Sequence, residues 1–292
     1  MHKLLILVTG RNTWPRGPVS PLRRIVAPLV GLALVAACGQ ATPKETAGDA
    51  GQRYEGDFTV LESPEHGPEL CPAVMLSLPP QCGGPPVVDW DWDAVKGEKA
   101  ANGTTWGSWH ITGTFDGERL TLTERPGPER PHERVAPDFS AACAAPDGLD
   151  PAQDPTLWDA ASSDFHSAGI RDLVATWLSY PAGPGRGPVV VNVTVLPGAR
   201  QAAVEHIRSS YAGALCVVER DGPTVAGLSA VQRELDGGEG RAVLGQVQGT
   251  SPDQLRGVVV ATVWVAGQAS LDYADRRWDG LVELEPLLRP VG

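Results

Sequence analysis

From Tyr54 to Leu61 apolar and polar residues alternate, with Tyr54, Phe58 and Val60 on one side of the pattern and Glu55, Asp57 and Thr59 on the other. A period of two predicts a half-buried strand. Two more runs of this kind, Trp106 to Thr114 and Glu118 to Thr123, flank Phe115-Asp116-Gly117. An Asp-Gly pair between alternating runs predicts a hairpin, because glycine supplies the positive φ that a tight turn needs. Residues 53–124 therefore read as a small N-terminal β domain that can close part-way into a barrel.

The second half carries an internal repeat. Val189-Val190-Val191-Asn192-Val193-Thr194-Val195 recurs as Val258-Val259-Val260-Ala261-Thr262-Val263-Trp264-Val265, both β-branched runs suited to buried strands. Each leads to a helical pattern: Val204, Ile207 and Tyr211 share a face at i, i+3, i+7, and Leu271, Ala274 and Trp278 repeat it. Gly213 or Gly280 then caps the helix, before a further strand at Leu215–Val218 or Leu281–Leu284. With a helix from Thr224 to Leu235 and a strand from Arg171 to Tyr180, the fold class is α+β. The β domain is followed by an α+β sandwich, residues 154–292, with two repeated strand-helix-strand units, ferredoxin-like in plan, on one sheet of about five strands. Residues 125–153, rich in Pro and charge, read as a surface linker.

The first 37 residues differ in kind from the rest, with five basic residues and no acidic one. Arg23 and Arg24 precede an apolar run, Ile25 to Ala37, shorter than the roughly 20 residues a spanning helix needs. Residues 1–37 therefore read as a signal peptide. The run ends in Val35-Ala36-Ala37-Cys38, which resembles the bacterial lipobox, and this resemblance implies lipidation of Cys38 and a place on the outer face of the cytoplasmic membrane. Within residues 1–22 an apolar stretch, Leu4 to Val8, and a Pro/Gly-rich piece precede the usual signal layout, so Val19 is the expected natural start, giving a short n-region with Arg23 and Arg24. Residues 38–52, small and polar, read as a flexible tether.

Without the signal the chain has 19 basic and 35 acidic residues, a net charge of −16. Nucleic acid is excluded as a partner, since binding phosphates needs a basic footprint. Four cysteines follow Cys38, an even number for an oxidising compartment. Three pairings are open. Cys71 with Cys82 closes a short loop and leaves Cys143 with Cys216.

Asp89-Trp90-Asp91-Trp92-Asp93 begins like a calcium loop, but Ala94 and Ala100 stand where glycine and a bidentate glutamate belong. As a strand it turns both tryptophans to one face, where they plug the β domain. Its functional reading is a ligand surface of Trp90, Trp92, Trp106, Trp109 and His110. Glu62, Glu65 and His66 are weak metal candidates, with no second histidine at ligand spacing. No catalytic residue emerges: zincin, nucleophile-elbow, P-loop and dinucleotide motifs are missing, and His166 beside Ser167 makes no triad by sequence order. No cofactor is expected.

Through VLESPEHGPELC, LPPQCGG, the DWDW run, WHITGTFDGERLTLTE and GALCVVE, the exported part resembles uncharacterised actinobacterial secreted proteins and lipoproteins. The resemblance implies a cell-envelope location, a two-part exported region and paired cysteines, and assigns no activity to any residue. Two expectations remain: a non-enzymatic envelope protein binding a small ligand or another envelope protein through its β domain, and a hydrolase or metal-dependent enzyme for which the His66 loop is the nearest candidate. Metabolic labelling with a fatty acid is expected to mark the chain. Cys38→Ala is expected to lose the label, and a label that persists would remove the lipid from Cys38.

Overall fold

The computed structural model describes residues 51–131, 137–148, 169–183, 189–238, 241, 244 and 246–292. The signal, Cys38, most of the tether and the His166–Ser167 pair lie outside these residues. The fold is α+β, mostly sheet, with three regular helices among the described residues. None of them is long and apolar enough to cross a membrane.

The N-terminal sheet is built on β1 (Arg53–Ser63) and β5 (Thr104–Phe115), antiparallel with Phe58 opposite Trp109. Tyr54, Phe58 and Val60 face the core with Trp109, Ile111 and Phe115, as the alternation predicts. The Asp-Gly hairpin forms between β5 and β6 (Leu120–Leu122), with Gly117 at φ 93°. Asp116 Oδ1 accepts from the amides of Glu118 (2.9 Å) and Arg119 (2.8 Å), and these bonds hold its carboxyl below the usual aspartate range.

This sheet is not a closed barrel. The remaining strands are β2 (His66–Cys71) on β1, β3 (Val87–Val88) on β6 and β4 (Lys99–Ala101) on β5. Between β2 and β3 there is one bridge, Glu69 with Pro86.

The second half differs from the five-stranded sheet that the repeat predicts. It forms two separate three-stranded sheets of the same design. In the first, β7 (Leu173–Ser179) is antiparallel to β8 (Val190–Val195), and helix α1 (Arg200–Arg208) crosses over to β9 (Leu215–Glu219), parallel to β8. In the second, β10 (Val247–Asp253), β11 (Val258–Val263), a crossover helix and β12 (Val282–Pro286) repeat this arrangement. Both hairpins break register at the same point, between Leu173 and Ala175 and between Val247 and Gly249. Helix α2 (Val225–Asp236) joins the units; Thr224 caps it by accepting from Gly227 N (3.1 Å). Helix α3 (Gln268–Trp278) is the second crossover.

Two of the three predicted positions on each helical face are buried, and only the first shifts by one residue, from Val204 to Ala203 and from Leu271 to Ser270. Ala203, Ile207 and Tyr211 are buried in the first unit, and Ser270, Ala274 and Trp278 in the second. Val204 is half-buried and Leu271 is exposed. A spacing of i, i+4 on a helix stays on one stripe, so small Ala203 and Ser270 let the backbones approach their sheets.

The second unit is also joined to the N-terminal sheet. Trp264, directly after β11, packs its ring 5.8 Å from Phe58 and 6.2 Å from Phe115. Leu288 is fully buried in the same core, and β13 (Arg289–Pro290) pairs with Tyr54 and Glu55 of β1. Gly56 permits this crossing, because a Cβ there would meet Leu287 O at 2.8 Å and the Phe58 ring at 2.4 Å. Leu288→Ala is expected to destabilise the chain by about 2–5 kcal/mol through the cavity it leaves. Urea unfolding followed by tryptophan fluorescence checks this, and a loss of about 0.5 kcal/mol or less, the scale of a surface substitution, would contradict the packing role.

Candidate functional site

The sequence-selected ligand surface divides into two groups. Trp90, Trp92 and Trp109 do come together, with ring centroids 5.1 to 5.8 Å apart in edge-to-face contacts. Trp109 is buried and donates from Nε1 to Lys96 O (3.2 Å), while Trp92 donates to Glu62 Oε2. Trp90 and Trp92 are half-buried against the N-terminal core. Their segment is not the predicted strand: Asp89 has φ 64°, and Asp91 caps a 3₁₀ turn at Trp92–Ala94. The turn still exposes all three aspartates and turns both rings inward.

Trp106 and His110 point to the opposite face of β5, where register places Trp106 against Leu61 and His110 against Asp57. His110 Nδ1 lies 3.2 Å from Asp57 Oδ1 and Nε2 lies 3.4 Å from Glu55 Oε2. Arg130 closes this cluster, donating from its amide to Asp57 (2.8 Å) and from Nη1 to Glu55 (2.9 Å), and Gly127 pairs with the His110 backbone. The cluster fastens Gly127 and Arg130 across β1 and β5.

The metal candidates do not converge. Glu62 is engaged by Trp92, Glu65 is exposed, and His66 has Glu69 as its neighbour, with Nδ1 to Oε2 at 3.6 Å. Among the described residues no group of three His, Cys, Asp or Glu side chains is placed to hold a metal ion.

The cysteines form Cys71–Cys82 and Cys143–Cys216, with Cα atoms 5.6 and 5.9 Å apart. Cys71–Cys82 closes a loop whose Met75, Leu76 and Leu78 are exposed. Cys143–Cys216 has a larger structural effect, because it clamps residues 140–147 over the first repeat unit. Ala142 and Cys143 pack on Val190 and Cys216. Asn192, fully buried, accepts from Ala142 N (2.8 Å) and donates to Ser179 Oγ (2.9 Å) and Val190 O (3.1 Å). Trp177 Nε1 donates to Ser140 O (2.9 Å). Every residue of β8 is consequently buried.

Among the described residues the equivalent face of the second unit is open. Val259, Ala261 and Val263 are buried under α2 and α3, while Val258, Val260 and Thr262 are half-exposed. Over Val260 and Thr262 lies a cleft of about 720 Å³. Val260, Thr262, Ser251 and Glu285 contribute from the sheet, Thr176 and Trp177 from β7, and Phe139 from the segment before the clamp. Gln254 Oε1 accepts from Thr176 N (3.2 Å), which ties the two units at the cleft. Arg256, paired with Glu283 and 3.9 Å from Asp253, supplies a cation.

Aromatic side chains beside hydroxyl, carboxylate and guanidinium groups suit a ligand with both apolar and hydrogen-bonding parts, and the volume falls in the range of small-molecule sites. The described lining contains no histidine or cysteine, so its Ser and Thr hydroxyls have no base of that kind. Sequence reasoning missed Phe139, Trp177 and the β11 face because a β-branched run reads the same whether one or both of its faces are covered. No protein-family model, curated protein or solved structure matches the chain.

Replacing Cys143 and Cys216 together by Ser is expected to lower stability by about 4 kcal/mol, from the loop the bridge closes. It should also expose the Asn192 face, read as increased binding of an apolar dye. Unchanged dye binding would mean that residues 140–147 hold their place without the bridge.

Proposed function

We propose that the chain is an exported lipoprotein, held at the outer face of a bacterial cytoplasmic membrane by lipid on Cys38, that acts as a non-enzymatic binding protein. The location rests on the signal pattern and the residues before Cys38. The binding role rests on one observation: the face that the chain covers with its own residues 140–143 in the first repeat unit is, among the described residues, left open in the second, beneath a cleft of about 720 Å³. A protein that needed both units only for stability would still gain by covering both, since half-buried Val260 leaves apolar area worth up to about 1 kcal/mol in contact with water.

The occupant that fits is a small molecule with an apolar portion for Phe139 and Trp177 and polar groups for Thr262, Ser251 and Arg256. This moves the binding surface from the β domain, where tryptophan packing accounts for Trp90, Trp92 and Trp109, to the second unit.

Mass spectrometry of small molecules released from the purified full chain tests the reading. A species recovered with the native chain and with Cys38→Ala, but lost from Thr262→Trp, is the expected result. Identical extracts from the native chain and Thr262→Trp would defeat the cleft, whereas label lost from Cys38→Ala bears on the anchor alone.

A further inference from the structure

The two repeat units differ at a second place, the outer edge of the last strand. In the first unit that edge is occupied. Asp147 forms an antiparallel bridge with Leu215 of β9, its N–H donating to Leu215 O and its C=O accepting from Leu215 N, both at 2.9 Å. Arg208 of α1 holds the added segment, donating from Nη2 to Asp147 Oδ2 (2.9 Å) and to Asp147 O (3.1 Å). Gly148, at φ 71°, follows close against the turn that leads into β9.

In the second unit β12 pairs with β11 alone among the described residues. The hydrogen-bond pattern is the same: Val259 N donates to Leu281 O as Val191 N donates to Ala214 O, at 2.8 and 2.9 Å. Alternation along a parallel strand then directs the N–H and C=O of Val282, the counterpart of Leu215, away from β11. They face a groove of about 470 Å³ between β12 and α3. Leu271, exposed there, is the counterpart of half-buried Val204.

The residue equivalent to Arg208 is Asp275, so the clamp has the opposite charge. Asp272, one turn earlier on α3, lines the same groove. Two cations, Arg276 and Arg277, follow Asp275 on α3, and Arg277 is paired with Glu234 of α2.

We propose that the β12 edge is a docking site for an extended, basic peptide segment of another protein, which adds antiparallel to β12 and places a lysine or arginine on Asp275. The first unit supplies the template for the backbone pairing, and reversal of the clamp charge supplies the choice of side chain. The acidic balance of the exported part favours the same class of partner. The groove shares no lining residue with the cleft, though its Glu283 pairs with Arg256 of the cleft, and the proposal does not depend on the lipid or on a ligand in that cleft.

Fluorescence anisotropy with the purified full chain and two labelled pentapeptides, Val-Lys-Val-Lys-Val and Val-Glu-Val-Glu-Val, tests the assignment. The lysine peptide is expected to bind on the order of tenfold more tightly, the scale of one charge-assisted contact. Asp275→Arg is expected to reverse the preference, and Thr262→Trp in the cleft is expected to leave it unchanged. Slowed exchange of the Val282 amide in the complex places the peptide on the edge. Circular dichroism of Asp275→Arg controls for folding, and the milder Asp272→Asn should reduce the preference if the reversal variant misfolds. Equal binding of both peptides, binding of neither, or a preference that survives Asp275→Arg without misfolding overturns the proposal.

Discussion

The burial of Trp264 beside Phe58 and Phe115 is the contact on which the molecule depends. β11 belongs to the second repeat unit, yet the residue after its last position fills the core of the N-terminal sheet. Leu288 and the β13 pairing complete the same junction a short distance later in the chain. A large aromatic ring withdrawn from water at a junction makes the two parts share stability, because neither can open without exposing it. The Gln246 side chain, donating to Gly117 O in the β5–β6 turn, fixes a further point between them.

The repeat units show how one strand design yields two different surfaces. Each has a hairpin, a crossover helix and a parallel strand, and each buries one sheet face under helix. They diverge in what meets the other face and the outer edge. The segment from Ser140 to Gly148 meets both in the first unit, and buried Asn192 fits there because the cover satisfies its amide. The second unit has Val260 at the position of Asn192, which makes no such demand and needs no such cover.

Much of the architecture was legible in the sequence. The Tyr54–Leu61 alternation, the Asp-Gly hairpin and the helix near Thr224 came from local patterns that depend on few distant contacts. The two separate sheets did not, since strand runs specify burial but not which neighbour supplies it. β13 was illegible for a related reason: two paired residues are too short for a period. One signal of the open face was present. Leu215-Cys216-Val217-Val218 is continuously apolar, as a strand covered on both faces should be, whereas Val282-Glu283-Leu284-Glu285 alternates, as a strand with one face toward water should. The tryptophan cluster was correctly gathered at Trp90, Trp92 and Trp109, but the separation of Trp106 and His110 required the β5 register.

The pairing of β13 with β1 also imposes an order in time. A chain that emerges from its N-terminus presents β1 and β5 early, but the ring and strand that complete their sheet arrive only after both repeat units have been made. The N-terminal sheet must therefore wait with part of its core unfilled, and contacts between such distant segments form slowly.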